Sequence, residues 1–219
     1  MPTIYNLGDY NDVLKGVHMI IGEGLCSNIY VLGREKATII DTGVGNRANP
    51  LLPQLKEIGV SPGNIEKVII THAHHDHAMG TFLILEKAHP KVYVHEKDTE
   101  YIATRLGDAL VKVNEGDVID TELWPLKVYW TPGHTAGGMC LYNAERRILF
   151  SGDTVFPDGY YGRYDGESGS LDAIVGSLRK LNELDVDILL AGHGSPVVEG
   201  GHRHIELALR NATPVGLMT

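Results

Sequence analysis

The sequence predicts a layered α/β fold, sheets covered by helices, for a chain of 219 residues. Apolar, β-branched runs alternate with longer stretches of helical spacing. The chain is strand-rich at its start, mixed in its middle, and strand–helix–strand at its end. No low-complexity segment, short-period repeat or Ser/Gly/Pro linker interrupts it. Residues 1–219 therefore read as one domain, with 43% hydrophobic residues to fill the core.

Taken in order, VHMII (17–21), NIYVLG (28–33) and ATIIDTG (37–43) are strands joined by short glycine-containing turns. Residues 49–58 (NPLLPQLKEI) have helical apolar spacing; Pro50 suits a first turn and Gly59 a stop. KVIIT (67–71) is a buried-type strand that runs into THAHHDH. GTFLILEKA (80–88) reads as a helix, KVYVH (91–95) as a strand and DTEYIATRL (98–106) as a helix. A second strand series follows at PLKVYW (125–130), GMCLYN (138–143) and RILFSGD (147–153). LDAIVGSLRKLNEL (171–184) is the clearest amphipathic helix, with Ser170 as its N-cap. DILLAGHG (187–194) is a strand entering a glycine-rich loop, and residues 202–211 form a last helix.

Composition excludes several function classes. The formal net charge is −9 and no basic run exceeds Arg146–Arg147, which argues against nucleic-acid binding and a nuclease. No window nears the roughly 18–20 apolar residues of a membrane span. The N-terminal MPTIYNLGDY lacks the basic flank and apolar run of a signal peptide. Cys26 and Cys140 cannot build a disulfide framework and lack C-x-x-C spacing, so they read as reduced thiols in a cytoplasmic protein. The expected partner is a small-molecule substrate, with a homo-oligomer left open.

The chemistry concentrates at strand ends. Asp41, His72, His134, Asp153 and His193 all fall at or just beyond the C-terminal end of an expected strand. Rigid scaffold meets variable loop there, so such side chains can converge on one site. His72 and His74, two residues apart on an extended chain, project the same way and can reach one ion. Asp76 and His77 follow across the turn, and His75 is left over. A zinc-type site wants about four ligands, so more are needed. His134 in TPGHTAGG, Asp153 in FSGDTVF and His193 in LLAGHGSP are the candidates. A buried, unpaired carboxylate such as Asp153 is costly, and a metal removes that cost. His18, His89 and His95 are isolated, and His202 and His204 fall on different helix faces; none receives a role.

Together, Asp41 in IIDTG and the motifs THAHHDH, GHTAGG, SGDT and AGHG resemble the metallo-β-lactamase fold superfamily over nearly the whole chain. The resemblance implies a four-layer αββα sandwich with its site at one edge of the stacked sheets. It implies that His72, His74 and His134 hold a first metal, that Asp76, His77 and His193 hold a second, and that Asp153 bridges them. Asp76 and Asp41 are the implied catalytic residues, Asp41 orienting the ligands from behind them. The implied cofactors are two divalent ions, Zn2+ first, with Fe or Mn as alternatives.

Departures from the pattern narrow the branch. β-Lactamases of the superfamily lack the bridging aspartate, so Asp153 argues against antibiotic hydrolysis. Quorum-signal lactonases carry a tyrosine three residues after it, where this chain has Phe156. GDTVFPDGYYGR is similar to the glyoxalase II and persulfide dioxygenase branch. The loop FPDGYYGRYDGESGS is the expected specificity element, with Arg163, Tyr160, Tyr161 and Tyr164 as substrate-binding residues. The alternative for Arg163 is a structural ion pair with Asp165 or Glu167; for the tyrosines it is packing of the loop. Glyoxalase II continues into a helical module that helps bind glutathione, whereas about 26 residues follow His193 here, which argues against glutathione thioesters.

The expected function is a dinuclear hydrolase that cleaves small ester, thioester, lactone or phosphodiester substrates with a metal-bridging hydroxide. Its rival is a mononuclear iron oxygenase of the persulfide dioxygenase type, using only His72, His134 and Asp153. A diiron reductase is disfavoured, because those relatives carry Glu at the position of His74 and an attached flavin domain.

Overall fold

The structure, a computed structural model, describes residues 3–213. Its elements are β1 (Ile4–Asn6), β2 (Val17–Ile20), β3 (Ile29–Leu32), β4 (Ala37–Ile40), α1 (Leu51–Glu57), β5 (Ile65–Ile70), α2 (His75–Ala78), α3 (Gly80–Leu85) and β6 (Lys91–His95). They continue with α4 (Ala103–Leu106), β7 (Leu110–Val113), β8 (Val118–Ile119), β9 (Leu126–Trp130), β10 (Met139–Asn143), β11 (Ile148–Gly152), α5 (Leu171–Asn182), β12 (Ile188–Ala191) and α6 (His202–Ala212).

Two sheets result. The first runs β1-β2-β3-β4-β5-β6-β7, antiparallel as far as β4 and parallel from β4 onward. The second runs β12-β11-β10-β9-β8 and is parallel only between β11 and β12.

The strands read as continuous apolar runs because both faces of each sheet are covered. Side chains alternate across a strand, and each strand divides its residues accordingly. Tyr30, Leu32, Ile40 and Ile69 meet Leu126, Val128, Leu141, Phe150 and Leu190 in one cluster between the sheets. Their neighbours Ile29, Val31, Ile39, Val68 and Ile70 face the opposite way, toward Leu51 and Leu55 of α1, Ile84 of α3 and Leu106 of α4. On the far side, Cys140, Leu149 and Leu189 pack against Ile174, Leu178 and Leu181 of α5 and Ile205 and Ala208 of α6. The order is thus helices, sheet, sheet, helices. Each large side chain so buried contributes about 1.5–3 kcal/mol relative to exposure.

Helix α5 forms as its sequence predicts: the Ser170 hydroxyl accepts from the Ala173 amide, Asp172 lies in the first turn and Arg179 and Lys180 in the last. Three segments differ from expectation. The helix read at 98–106 shortens to α4, because the Asp98 side chain is drawn away to distant backbone amides instead of capping a helix. Asp76 and His77 do not cross a turn; they sit on the single helical turn α2. Edge strands β1, β7 and β8 were not anticipated, being too short to show a period. Among the described residues, no helix is long and apolar enough to cross a membrane.

Candidate metal centre

Five loops supply the site. Asp41 follows β4 directly, His72 lies two residues past β5, and α2 adds Asp76 and His77. From the second sheet, His134 follows β9, Asp153 follows β11 and His193 follows β12. The parallel strands β4 and β5, and β11 and β12, end on the same side, which brings these loops together.

Donor atoms converge in three overlapping groups. Those of His72, His74 and His134 lie within 4.8 Å of one another, as do those of Asp76, His77 and His193. His72, His77 and Asp153 form a third such group that joins the other two. The Asp153 carboxylate faces both sides: Oδ1 is 3.3 Å from His77 Nε2, and Oδ2 is 3.5 Å from His134 Nε2 and from His193 Nε2. Asp76 Oδ2 lies 3.2 Å from His193 Nε2 and 3.6 Å from His77 Nε2. The exposed His75 belongs to none of these groups.

The outer nitrogens of the buried rings decide how the inner ones face. His77 Nδ1 donates to Asp41 Oδ2 at 2.8 Å and His134 Nδ1 to the Arg163 carbonyl at 2.7 Å. Thr71 gives both its amide and its hydroxyl to Asp41, each at 2.8 Å, so its hydroxyl oxygen accepts from His72 Nδ1 at 3.2 Å. In these tautomers, assigned from the hydrogen bonds, Nε2 of His72, His77 and His134 carries a lone pair toward the centre. Ring nitrogens crowd one another at the centre: His72 Nε2 is 3.0 Å from His74 Nδ1, and His77 Nε2 is 3.3 Å from His193 Nε2. His134 Nε2 and Asp153 Oδ1 are buried with no hydrogen-bond partner. A divalent cation supplies what this donor set lacks, so the residues fit a metal.

Backbone strain and close approach support the arrangement. Asp41 holds φ at +54°, a left-handed conformation that Asp tolerates better than most residues and that concentrates at functional sites. Gly192 admits the Asp153 carboxylate: a Cβ there would stand 2.2 Å from Asp153 Oδ1 and 2.7 Å from His77 Cε1.

Without a cation, protons partition between the groups. Burial, reinforced by the charge of His77, holds His72 well below the usual imidazole range, and burial with His134 lowers His74. Burial opposes the charged form of His77 as well, but Asp153 and Asp41 outweigh it and hold this ring well above that range. His193 is likewise pushed up to about 9, burial being overcome by its bonds to Asp153 and Asp76. Burial alone would raise Asp153; His77 and His193 drive it well below the carboxylate range, and Asp76 is lowered by the same two histidines.

An open cavity of roughly 980 Å3 leads to these groups, and Glu23, Leu25, Cys26, Val44, Asn46 and Arg163 also line it. Among these, Leu25 is 87% exposed. Residues 23–26 and 44–46 were missed from the sequence, where only glycine-rich turns marked them. The Arg163 side chain pairs with Asp165, Nε to Oδ1 at 2.8 Å and Nη2 to Oδ2 at 3.2 Å. Tyr160, Tyr161 and Tyr164 do not line the cavity. Tyr161 bridges back to Val155 and packs on the outer cluster, Tyr164 stacks on Tyr161, and Tyr160 points to solvent. His202 and His204 bind the Leu184 carbonyl and the Asp158 amide, and His95 stacks on Trp130.

Comparison with known proteins gives consistent matches. The description Metallo-beta-lactamase superfamily matches residues 22–193. A probable metallo-hydrolase of Methanocaldococcus jannaschii is 30% identical over 192 residues, 79% of this chain and 90% of its own length. A hydroxyacylglutathione hydrolase of Synechococcus is 31% identical over 148 residues, 68% of this chain but 54% of its own length, so the chain spans about half of that relative. A protein crystallised in a di-iron-bound form superposes with a TM-score of 0.69 at 25% identity, covering 90% of this chain and 98% of that one.

Proposed function

The chain belongs to the metallo-beta-lactamase superfamily, and on that premise we propose that it is a dinuclear metal-dependent hydrolase of small acyl compounds, thioesters and esters first. One observation carries this reading: two three-residue donor groups lie on either side of a single carboxylate, Asp153, which faces histidines of both. His72, His74 and His134 would hold one ion, Asp76, His77 and His193 the other, and Asp153 would bridge them. Zn2+ suits the nitrogen-rich set, and iron remains compatible with it.

Bound ions of this kind lower the pKa of coordinated water toward about 7 and polarise a scissile carbonyl. The chain's own residues do the rest. Asp41 and the Arg163 carbonyl hold His77 and His134 in the ligating tautomer. Asp153 and Asp76 would offset part of the cationic charge, and Asp76, which lines the cavity, would take the proton released by the attacking water and pass it to the leaving atom. Leu25 and Val44 give the acyl part an apolar wall. Two free, buried thiols, Cys26 and Cys140, fit a reducing, cytoplasmic setting.

The test is a panel of thioester, lactone, aryl ester and phosphodiester substrates with metal-replete protein, beside elemental analysis. Hydrolysis that His72→Ala abolishes without unfolding supports the proposal; no turnover on any substrate refutes it. One iron per chain with oxygen uptake on glutathione persulfide would establish the oxygenase reading instead. That reading leaves Asp76, His77 and His193 clustered without an ion to hold.

A further inference from the structure

We propose that Asp98 is a positioning residue that sets the geometry of the first ligand group across the joint between the two sheets. It rests on the metal reading of the site and adds a residue that no sequence motif marks.

Asp98 lies just beyond β6, 8% exposed, and its carboxylate accepts hydrogen bonds from both ligand loops. Oδ2 takes the amide of Ala73 at 3.0 Å and the Thr135 hydroxyl at 2.8 Å; Oδ1 takes the amide of Gly137 at 2.6 Å. Ala73 stands between His72 and His74, in the loop after β5 of the first sheet. Thr135 follows His134, in the loop after β9 of the second. The histidines of this group therefore hang from different sheets, and one carboxylate ties the two loops. All three of its partners donate, which suits an ionised, acceptor-only group.

Gly137 is built for this contact. A Cβ at that position would lie 2.5 Å from the Asp98 amide and 2.6 Å from its Oδ1. The second glycine-rich stretch of GHTAGG thus makes room for Asp98 rather than for a ligand. Asp98 accepts no hydrogen bond from Asp76, His77 or His193, so its effect is local to one group.

The experiment is a double-mutant comparison read by metal affinity. In a His193→Ala background only the first group is intact; in a His74→Ala background only the second is. Zn2+ affinity is measured in each by competition with a chromophoric chelator, with circular dichroism to confirm folding. Asp98→Asn, which sets an amide N–H against a donor, is expected to weaken Zn2+ about 10–100-fold in the His193→Ala background. In the His74→Ala background it is expected to change affinity less than about threefold. Thr135→Val, which removes one donor and keeps the carboxylate, is expected to show the same selectivity with a smaller effect, and it serves if Asp98→Asn fails to fold. Equal losses in both backgrounds, or none in either, would overturn the positioning role. If the unsubstituted chain binds no Zn2+, the metal reading itself falls, and this role with it.

Discussion

Replacing Asp41 by Asn probes the logic of the centre most directly. The substitution keeps size and leaves the backbone at ease, because Asn shares the tolerance of Asp for the left-handed φ of +54°. What changes is the pattern of donors. Asp41 Oδ1 accepts from the Thr71 amide, and Oδ2 accepts from both the Thr71 hydroxyl and His77 Nδ1. If the amide oxygen of Asn stays on the Thr71 amide, its NH2 faces the His77 proton. If it flips, the NH2 opposes the Thr71 amide, a donor that cannot rotate. The relaxed solution moves the His77 proton to Nε2, the atom that faces the centre, and so blocks it as a ligand. Loss of an outer partner costs about 10–100-fold in metal affinity, and an unsatisfied buried donor costs about 1–3 kcal/mol of stability. Chelator competition gives the first quantity and denaturant unfolding of the metal-free protein the second. Metal affinity within about twofold of the parent, with a folded protein, would refute the orienting role of Asp41.

Further outcomes follow from the same geometry. His74→Ala is expected to lose one bound ion per chain, whereas His75→Ala keeps both; equal metal loss on elemental analysis would contradict the partition of donor groups. Gly192→Ala forces a Cβ against Asp153 and His77, so both metal content and stability should fall, by about 1–3 kcal/mol in a thermal melt. Thermal stability of the metal-free protein should decline between about pH 6.5 and 9. His193, raised to about 9 when folded, stabilises fully below its unfolded value near 6.5 and loses that contribution as pH climbs through 9. A flat or rising melting temperature across that window would count against it. Loaded with metal, the protein should show no such decline, and uptake at neutral pH should release protons measurable in weakly buffered solution.

How much of this was legible beforehand depends on how local each signal is. The strands from Val17 to Ile40 and from Leu126 to Gly152 were readable because sheets covered on both faces demand unbroken apolar runs. Helix α5 was readable because cap, stripe and terminal charges all agree. The donor residues stood out because clustered imidazoles and strand-end carboxylates are costly unless something binds them.

Other features depend on partners far along the chain. Asp98 looks like a helix-starting residue until the fold brings Ala73 and Gly137 to it. Arg163 looks like an anion anchor, yet its guanidinium is held by Asp165 while its carbonyl orients His134. The cavity wall at Leu25 and Val44 carries no motif, because any small apolar loop residue would read alike. Residue chemistry and short-range periodicity, by themselves, determined which groups are able to ligate a metal and which longer segments form strands. Only the stacking of the two sheets decided the distances between loops on different strands, and those distances make separate residues one site.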